Sequence, residues 1–369
     1  MAALTIEQVL RLRLRSQQLT GERATDVAGM VARMGALQAQ STRAARLAVR
    51  PRAEGVDAAA VDRACNETRS VVRTWAMRST LHMLAAPDIG WVVELYRPPA
   101  GAVTRRQRQL GLDADLLARA LPAIREVLSA RGPLTRAALV GELATKGVVV
   151  APRSQAPAHL IGYAARQGLI CRGPDQSDDE PTYVLIADWV GEPAQLDPDE
   201  ALAELARRYV GAHGPAGPRD FAYWSGFPVT TARRAFTLLA DELREVDAAG
   251  DRAYLPGTAD PVAPDDGTPC VRLLPHFDAY LLGYRSREAF LPARFAHRIQ
   301  AGGGFVQPAI VVDGRVVGTW RLRRQGRRMT VSAEPFERLG DELMPSLVAE
   351  ADDVGRFHGT TATLEVDSG

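Results

Sequence analysis

The sequence predicts an α+β fold of three tandem winged-helix units followed by a C-terminal β-rich region with a β-hairpin. Three observations predict it. The middle of the chain repeats the order helix, helix, helix, β-hairpin. A Gly-Pro break recurs 82 residues apart, at Gly132-Pro133 and Gly214-Pro215. The last hundred residues instead alternate apolar and polar positions around tight turns.

The elements follow in order. "TIEQVLRLRLRSQQL" and "ATDVAGMVARMGAL" predict two helices, and "STRAARLAV" opens a third with Ser41 or Thr42 as its N-cap. "DAAAVDRACNETRSVVRTWAMRSTLHML" runs from helix into strand, completing a first unit over 1–115. In the second, 116–195, "LPAIREVLSARGPLTRAALVGELATKG" supplies two helices around the Gly-Pro break. "APAHLIGYAARQGLICRG" supplies a third that ends at Gly168, and "EPTYVLIADWV" a strand. The third unit, 196–262, repeats this from "DEALAELARRYVGAHGPAGPRDFAYWSGF" into "PVTTARRAFTLLADELREVDAAGDRAYLPG", with Thr230 or Thr231 as N-cap of its last helix. The remainder, 263–369, contains "FVQPAIVVDGRVVGTWRLRRQGRRMTVSAEPF", which turns at Asp313-Gly314 and again near Gln325-Gly326. The second turn is flanked by Arg321, Arg323, Arg324, Arg327 and Arg328. Such a ribbon suits insertion into a nucleic-acid groove, and equally suits an edge hairpin kept soluble by charge.

At 46% hydrophobic and 24% charged, the 369 residues are globular in composition. No apolar run approaches ~18 residues, so no membrane span is expected. Charge enters the N-terminal segment too early for a signal peptide. Cys65, Cys171 and Cys270 are isolated and lack zinc or redox spacing, which implies reduced thiols in a cytoplasmic protein. The net charge of +1 hides an asymmetry. Residues 1–110 hold 17 Arg against 9 Asp and Glu, a basic third that suits either a polyanion-binding face or an ordinary solvated surface. Lys146 is the only lysine, a bias of composition and not evidence of arginine chemistry.

Several chemistries are set aside. There is no phosphate loop, no HExxH, no nucleophile elbow, and "AGGGF" near Gly302 opens a strand rather than a nucleotide-binding helix. His82, His159, His213, His276, His297 and His358 are scattered, so no metal and no cofactor is expected. What stands out is Gln38-Ala39-Gln40, between the helix that ends near Leu37 and the cap at Ser41 or Thr42. In a helix, residues i and i+2 diverge; in an extended connector they point the same way. The two amides can then aim at one point. Beside them, the next helix offers unsatisfied N–H groups and Arg43, an arrangement that attracts phosphate.

The sequence resembles the bacterial winged-helix DNA glycosylases of the AlkZ type, relatives of YcaQ. The resemblance rests on "LQAQ", matching the family's glutamine–aliphatic–glutamine motif, with "MRSTLHML", "GPAGPRDFAYWSG", "LLPHFDAYLLGYRSR" and "VVDGRVVGTWRL" in the expected order. Gln40, where YcaQ-like members are expected to carry aspartate, places it with the branch associated with self-resistance to azinomycin B. The resemblance implies monofunctional hydrolysis of the N-glycosidic bond of N7-alkylated purines in double-stranded DNA, including unhooking of interstrand crosslinks. Gln38 and Gln40 are then catalytic. Ser41, Arg43, Arg78, Thr80, His82, Arg285, Arg287, Arg323, Arg324, Arg327 and Arg328 are the candidate DNA contacts. Thr80 and His82 alternate on a predicted strand and face either a cleft or the core. Asp278 orients an arginine, caps a helix or assists the site. Trp224, Trp320, Tyr223 and Tyr284 are expected in the core. A monomer without membrane association is expected. The competing class is a non-enzymatic winged-helix regulator, since fold does not dictate activity.

Overall fold

The computed structural model describes residues 2–99, 101–177, 180–261, 267–326 and 328–367. Arg327, one of the expected DNA contacts, lies outside them. The chain divides into two compact units, Met1–Val61 with Leu202–Gly369, and Asp62–Ala201. The expected segment 1–115 is therefore split between the two.

In Asp62–Ala201, the helices Ala114–Arg131, Arg136–Thr145 and Ala156–Arg166 precede a hairpin of Ile170–Ser177 and Glu180–Leu185. The first helix begins seven residues before the expected Leu121, because Asp113 caps it by accepting from Leu116 N at 2.8 Å. Thr135 caps the second helix. Just before that cap, Leu134 and Thr135 pair with Tyr183 and Thr182 of the hairpin. Leu117, Ile124, Leu139, Leu160, Ile170 and Leu185 form the core between these elements. Burying this apolar stripe from each helix is what selects their packing. A second hairpin, Val71–Trp75 with Leu81–Ala85, joins the same sheet through Arg73 opposite Arg172. The expected single strand through "VVRTWAMRSTLHML" is broken at its centre, where Arg78 and Ser79 take φ of 53° and 58°.

Among the described residues the other unit holds three sheets. The helices Pro198–His213, Pro218–Ser225 and Val229–Leu238 lead into a hairpin of Leu243–Ala248 and Asp251–Pro256. The helix Val229–Leu238 starts behind Pro228, with no side-chain cap, so neither Thr230 nor Thr231 plays that part. The N-terminal strand Ala2–Leu4 adds in parallel to this hairpin, Ala2 opposite Val246. Leu4, Val9, Leu12, Val246 and Leu255 then close one core, so the chain's start is bound to its third quarter.

The second sheet orders five strands as Val271–Leu274, Ala309–Val312, Arg315–Gln325, Arg328–Pro335 and Ala362–Val366. Asp313 and Gly314, at φ of 48° and 81°, make the tight turn that Asp-Gly predicts. The arginine hairpin is not an edge ribbon: Ala362–Val366 pairs in parallel with Met329–Ala333, and Ala309–Val312 lies on its other side. Only its tip projects, with Arg321–Gln325 laddered to the strand Arg328–Pro335 beyond the end of Ala309–Val312. The glycine run forms the turn of a small hairpin, Gln300–Gly302 with Phe305–Val306, and Gly302, Gly303 and Gly304 all take positive φ. No described helix is long and apolar enough to cross a membrane.

Candidate functional site

The glutamine motif sits where a helix must stop and another must start. The helix Val27–Met34 ends at Gly35, whose φ of 73° suits glycine. Leu37 and Gln38 are extended, and Ser41 caps the motif helix Thr42–Val49 by accepting from Ala44 N at 3.3 Å. In this extended stretch successive side chains point to opposite sides, so Gln38 and Gln40 share one side and Ala39 takes the other. Ala39 is fully buried, while Gln38 is half-buried and Gln40 exposed. The two amides meet: Gln38 Nε2 donates to Gln40 Oε1 at 3.0 Å. Gln38 Oε1 is buried and accepts no hydrogen bond among the described residues. A buried acceptor without a partner costs on the order of 1–3 kcal/mol. Arg43 is exposed in the first turn of the motif helix.

The far end of that helix is bolted down by "VRPR". Arg50 and Arg52 are both fully buried. Arg50 donates to Asp353 Oδ2 at 2.6 Å, Glu350 Oε2 at 2.7 Å and Leu273 O at 2.9 Å. Burial opposes its charge, yet the two carboxylates outweigh burial and hold the guanidinium above its ordinary value. Arg52 grips both oxygens of Asp278, at 2.8 and 2.7 Å, and also Ala48 O and Gln17 Oε1. Asp278 in turn accepts from Tyr280 N. It thus orients an arginine and caps a short helix, and it is fully buried. These buried pairs fix the helix that carries Gln38 and Gln40 at its head.

Cations gather on the same unit. Arg323, Arg324 and Arg328 are exposed at the hairpin tip. His358, half-buried, has its pKa lowered by burial and then by the charges of Arg324, Arg46 and Arg50. The tip of the arginine hairpin and the motif helix therefore act on one neighbour, His358, which the sequence did not single out. Arg285 is exposed, its backbone N–H donating to Asp220. Arg287 is engaged locally, donating to Leu281 O and to the Tyr223 hydroxyl. Trp224, Trp320 and Tyr284 are core residues, but Tyr223 is exposed, which corrects its expected place. A cleft of about 1030 Å³ in this unit is lined by both signs of charge, including Arg219, Asp220, Arg233, Glu245 and Arg252, and by neither glutamine.

Of the remaining candidates, Arg78 is exposed at the tip of the hairpin Val71–Ala85. Thr80 Oγ1 donates to Met77 O at 3.0 Å. His82 is 4% exposed, its Nδ1 lies 2.9 Å from Thr80 O, and burial lowers its pKa to about 4. His82 is therefore a buried imidazole that burial keeps neutral.

The sequence model described as "DNA glycosylase AlkZ-like" matches residues 31–357. An interstrand DNA cross-link repair glycosylase of Streptomyces sahachiroi is 30% identical over 376 residues, spanning 96% of this chain and 96% of the relative. The solved structure of the Streptomyces sahachiroi DNA glycosylase AlkZ matches with a TM-score of 0.83 at 26% identity, covering 99% of this chain and all of that one.

Proposed function

Because the chain belongs to the AlkZ-like DNA glycosylase family, we propose that it hydrolyses the N-glycosidic bond of N7-alkylated purines in duplex DNA and unhooks interstrand crosslinks such as those of azinomycin B. Gln38 and Gln40 are its catalytic residues. The observation that carries this reading is the amide pair itself, joined at 3.0 Å with Gln38 Oε1 buried and unpartnered. The name of the Streptomyces relative supports the crosslink as substrate.

The chemistry suits amides. N7 alkylation makes the purine cationic, so it leaves as a neutral base without a general acid. Departure develops oxocarbenium character on the sugar. Gln38 Oε1 turns a negative dipole end toward that cation and orients the attacking water by accepting a hydrogen bond from it, the water's proton passing to solvent once the new C–O bond has formed. Gln40 fixes the Gln38 amide through its own Oε1, so little reorganisation accompanies bond breaking. Unmodified purines, lacking the positive charge, are poor substrates. No nucleophilic lysine is required, and the only lysine, Lys146, is ion-paired with Glu126. A crosslinked base is tethered to the opposite strand and cannot flip out freely, so approach from a groove replaces full extrusion.

We assign the elements around 116–195 and 196–262 to winged-helix units. Three helices followed by a hairpin in each, and the strand Leu134–Thr135 paired to the first hairpin, support that assignment. Ser41, Arg43 and the arginine hairpin bind the DNA backbone in this reading. The enzyme acts as a monomer in the cytoplasm, without metal, and its activity survives a chelator.

Incubation with duplex DNA containing N7-methylguanine, followed by assay of free base and abasic sites, tests the proposal. Release of base with alkali-labile but unbroken strands is expected. Tight binding to one undamaged sequence with no base released would instead return the chain to the class of non-enzymatic regulators.

A further inference from the structure

In the unit Asp62–Ala201, three stretches carry arginine and no acidic residue. They are Met77–Ala86 with Arg78, Gly101–Gly111 with Arg105, Arg106 and Arg108, and Ala151–Arg172 with Arg153, Arg166 and Arg172. The fold brings all three stretches onto the helix Ala156–Arg166. At its head, exposed Arg106 donates Nη2 to Gln155 Oε1 at 2.8 Å and Nη1 to Gln109 Oε1 at 3.3 Å. At its end, Arg166 donates Nη1 to Ser79 Oγ at 3.0 Å and Nε to Gly162 O at 3.2 Å. Ser79 and its neighbour Arg78 occupy the left-handed region that side chains other than glycine rarely adopt. Strain of that kind clusters at functional turns.

His159 lies between the two arginines. Gln155, His159 and Arg166 are four and seven residues apart, which puts them on one stripe of the helix. Burial and then the charges of Arg106 and Arg166 lower the pKa of His159. Among the described residues, neither arginine meets a carboxylate: amide, hydroxyl and carbonyl oxygens take all their hydrogen bonds. Over the whole chain acids and bases nearly cancel, at 44 against 45. A local excess of cations without counter-ions repels itself, and a polyanion relieves it.

We propose that Arg106, His159 and Arg166, with Ser79 beside them, form a phosphodiester track that holds one backbone strand of the substrate duplex. From Gln155 to Arg166 the stripe is about 16 Å long at 1.5 Å per residue. One DNA strand carries a charge every ~3.4 Å of axis, so the stripe is long enough for three cations to meet separate phosphates. The inference rests on the DNA-glycosylase reading, but concerns a unit that does not carry the glutamines.

The test uses the full chain and a short labelled undamaged duplex, titrated by fluorescence anisotropy across a salt series. Arg106→Gln should lower the slope of log K against log salt by about 0.9, and Arg106→Gln with Arg166→Gln by about twice that. Arg106→Lys, which keeps the charge on an exposed side chain, should retain the parent slope. Phosphate contact stabilises protonated His159, so affinity should rise as the pH falls from about 7.5 to about 5.5, and His159→Gln should lose that rise. A parent slope in Arg106→Gln, together with a parent pH response in His159→Gln, overturns the track. Release of N7-methylguanine is read for the parent protein in parallel. If the parent releases no base, the proposed substrate fails while the salt slopes still judge the track. If it releases base and neither the slopes nor the pH response moves, only the track fails.

Discussion

Asp278→Asn removes one charge from a buried pair while keeping the shape of the side chain. Both Asp278 and Arg52 are fully buried, and the carboxylate takes two guanidinium bonds at 2.8 and 2.7 Å. Asparagine leaves Arg52 with Gln17 Oε1, Ala48 O and one amide oxygen, and with no counter-charge. Breaking a buried pair at one end costs about 3–5 kcal/mol. The unit that contains it spans about 230 residues. At about 2.1 cal/mol/K per residue its unfolding entropy is about 0.5 kcal/mol/K, so the melting temperature should fall by about 6–10 °C. Differential scanning calorimetry reads this directly. The pair Arg52→Met with Asp278→Leu should recover most of the loss, because replacing both charges by apolar groups removes the desolvation cost as well. Below its transition the single variant should still bind DNA with the parent salt slope but excise more slowly, since Arg52 also holds Ala48 O of the motif helix. A shift under about 2 °C for Asp278→Asn, or a double variant no more stable than the single, would refute the view that the charge pair anchors this helix.

Gln38→Ala and Gln40→Ala should each lower single-turnover excision roughly 10²- to 10³-fold, as for loss of one preorganised polar group, with melting unchanged; near-parental rates in both would remove them from the chemistry. Gln40→Asp keeps an acceptor for Gln38 Nε2 and adds a charge that stabilises the sugar cation, so activity on monoadducts should survive. Arg323→Ala, Arg324→Ala and Arg328→Ala together should weaken binding to every sequence and lower the salt slope by up to about 0.9 per lost phosphate contact, while excision at saturating enzyme falls much less than in the glutamine variants; an unchanged slope would make the tip a solvated ribbon. Burial depresses His82 from 6.5 to about 4, so the folded state favours the neutral ring: its contribution is complete above pH 6.5 and is lost as the pH falls toward 4. That loss is on the order of 3 kcal/mol by about pH 4, and urea midpoints across this range should flatten in His82→Gln.

What could be read from the sequence was local. Asp313-Gly314 predicts its hairpin because a two-residue turn needs positive φ at both positions, and the structure has 48° and 81° there. Ser41 predicts a helix start because its hydroxyl reaches a backbone N–H three residues away. The extended geometry of Gln38-Ala39-Gln40 follows from being wedged between such a stop and such a start. Where local rules failed, a neighbour distant in sequence intervened. Nothing near Ala2–Leu4 announces a strand; its partner lies at Val246–Ala248. The helix Ala114–Arg131 starts at its Asp113 cap, seven residues before the expected Leu121, and runs through Pro122. His82 alternates correctly for a cleft, but which face of its hairpin is covered depends on packing that alternation alone does not specify.

The arginines make the same point about function. Nearly every base in the chain is arginine, so residue type cannot separate a structural cation from a binding one. Depth and partners do. Arg50 and Arg52, two residues apart in a segment as basic as any other, lose all exposure because Glu350, Asp353 and Asp278, more than two hundred residues away, supply the counter-charges. Arg106 and Arg166 face no such acid, and the tip arginines Arg323, Arg324 and Arg328 stay in solvent. Paired and buried, an arginine fixes the backbone; left without a carboxylate at the surface, it keeps its charge for a phosphate. The two glutamines need both kinds at once. Buried arginines hold the helix behind them against reorganisation, and under the proposed function the exposed arginines of the same unit bind the DNA backbone.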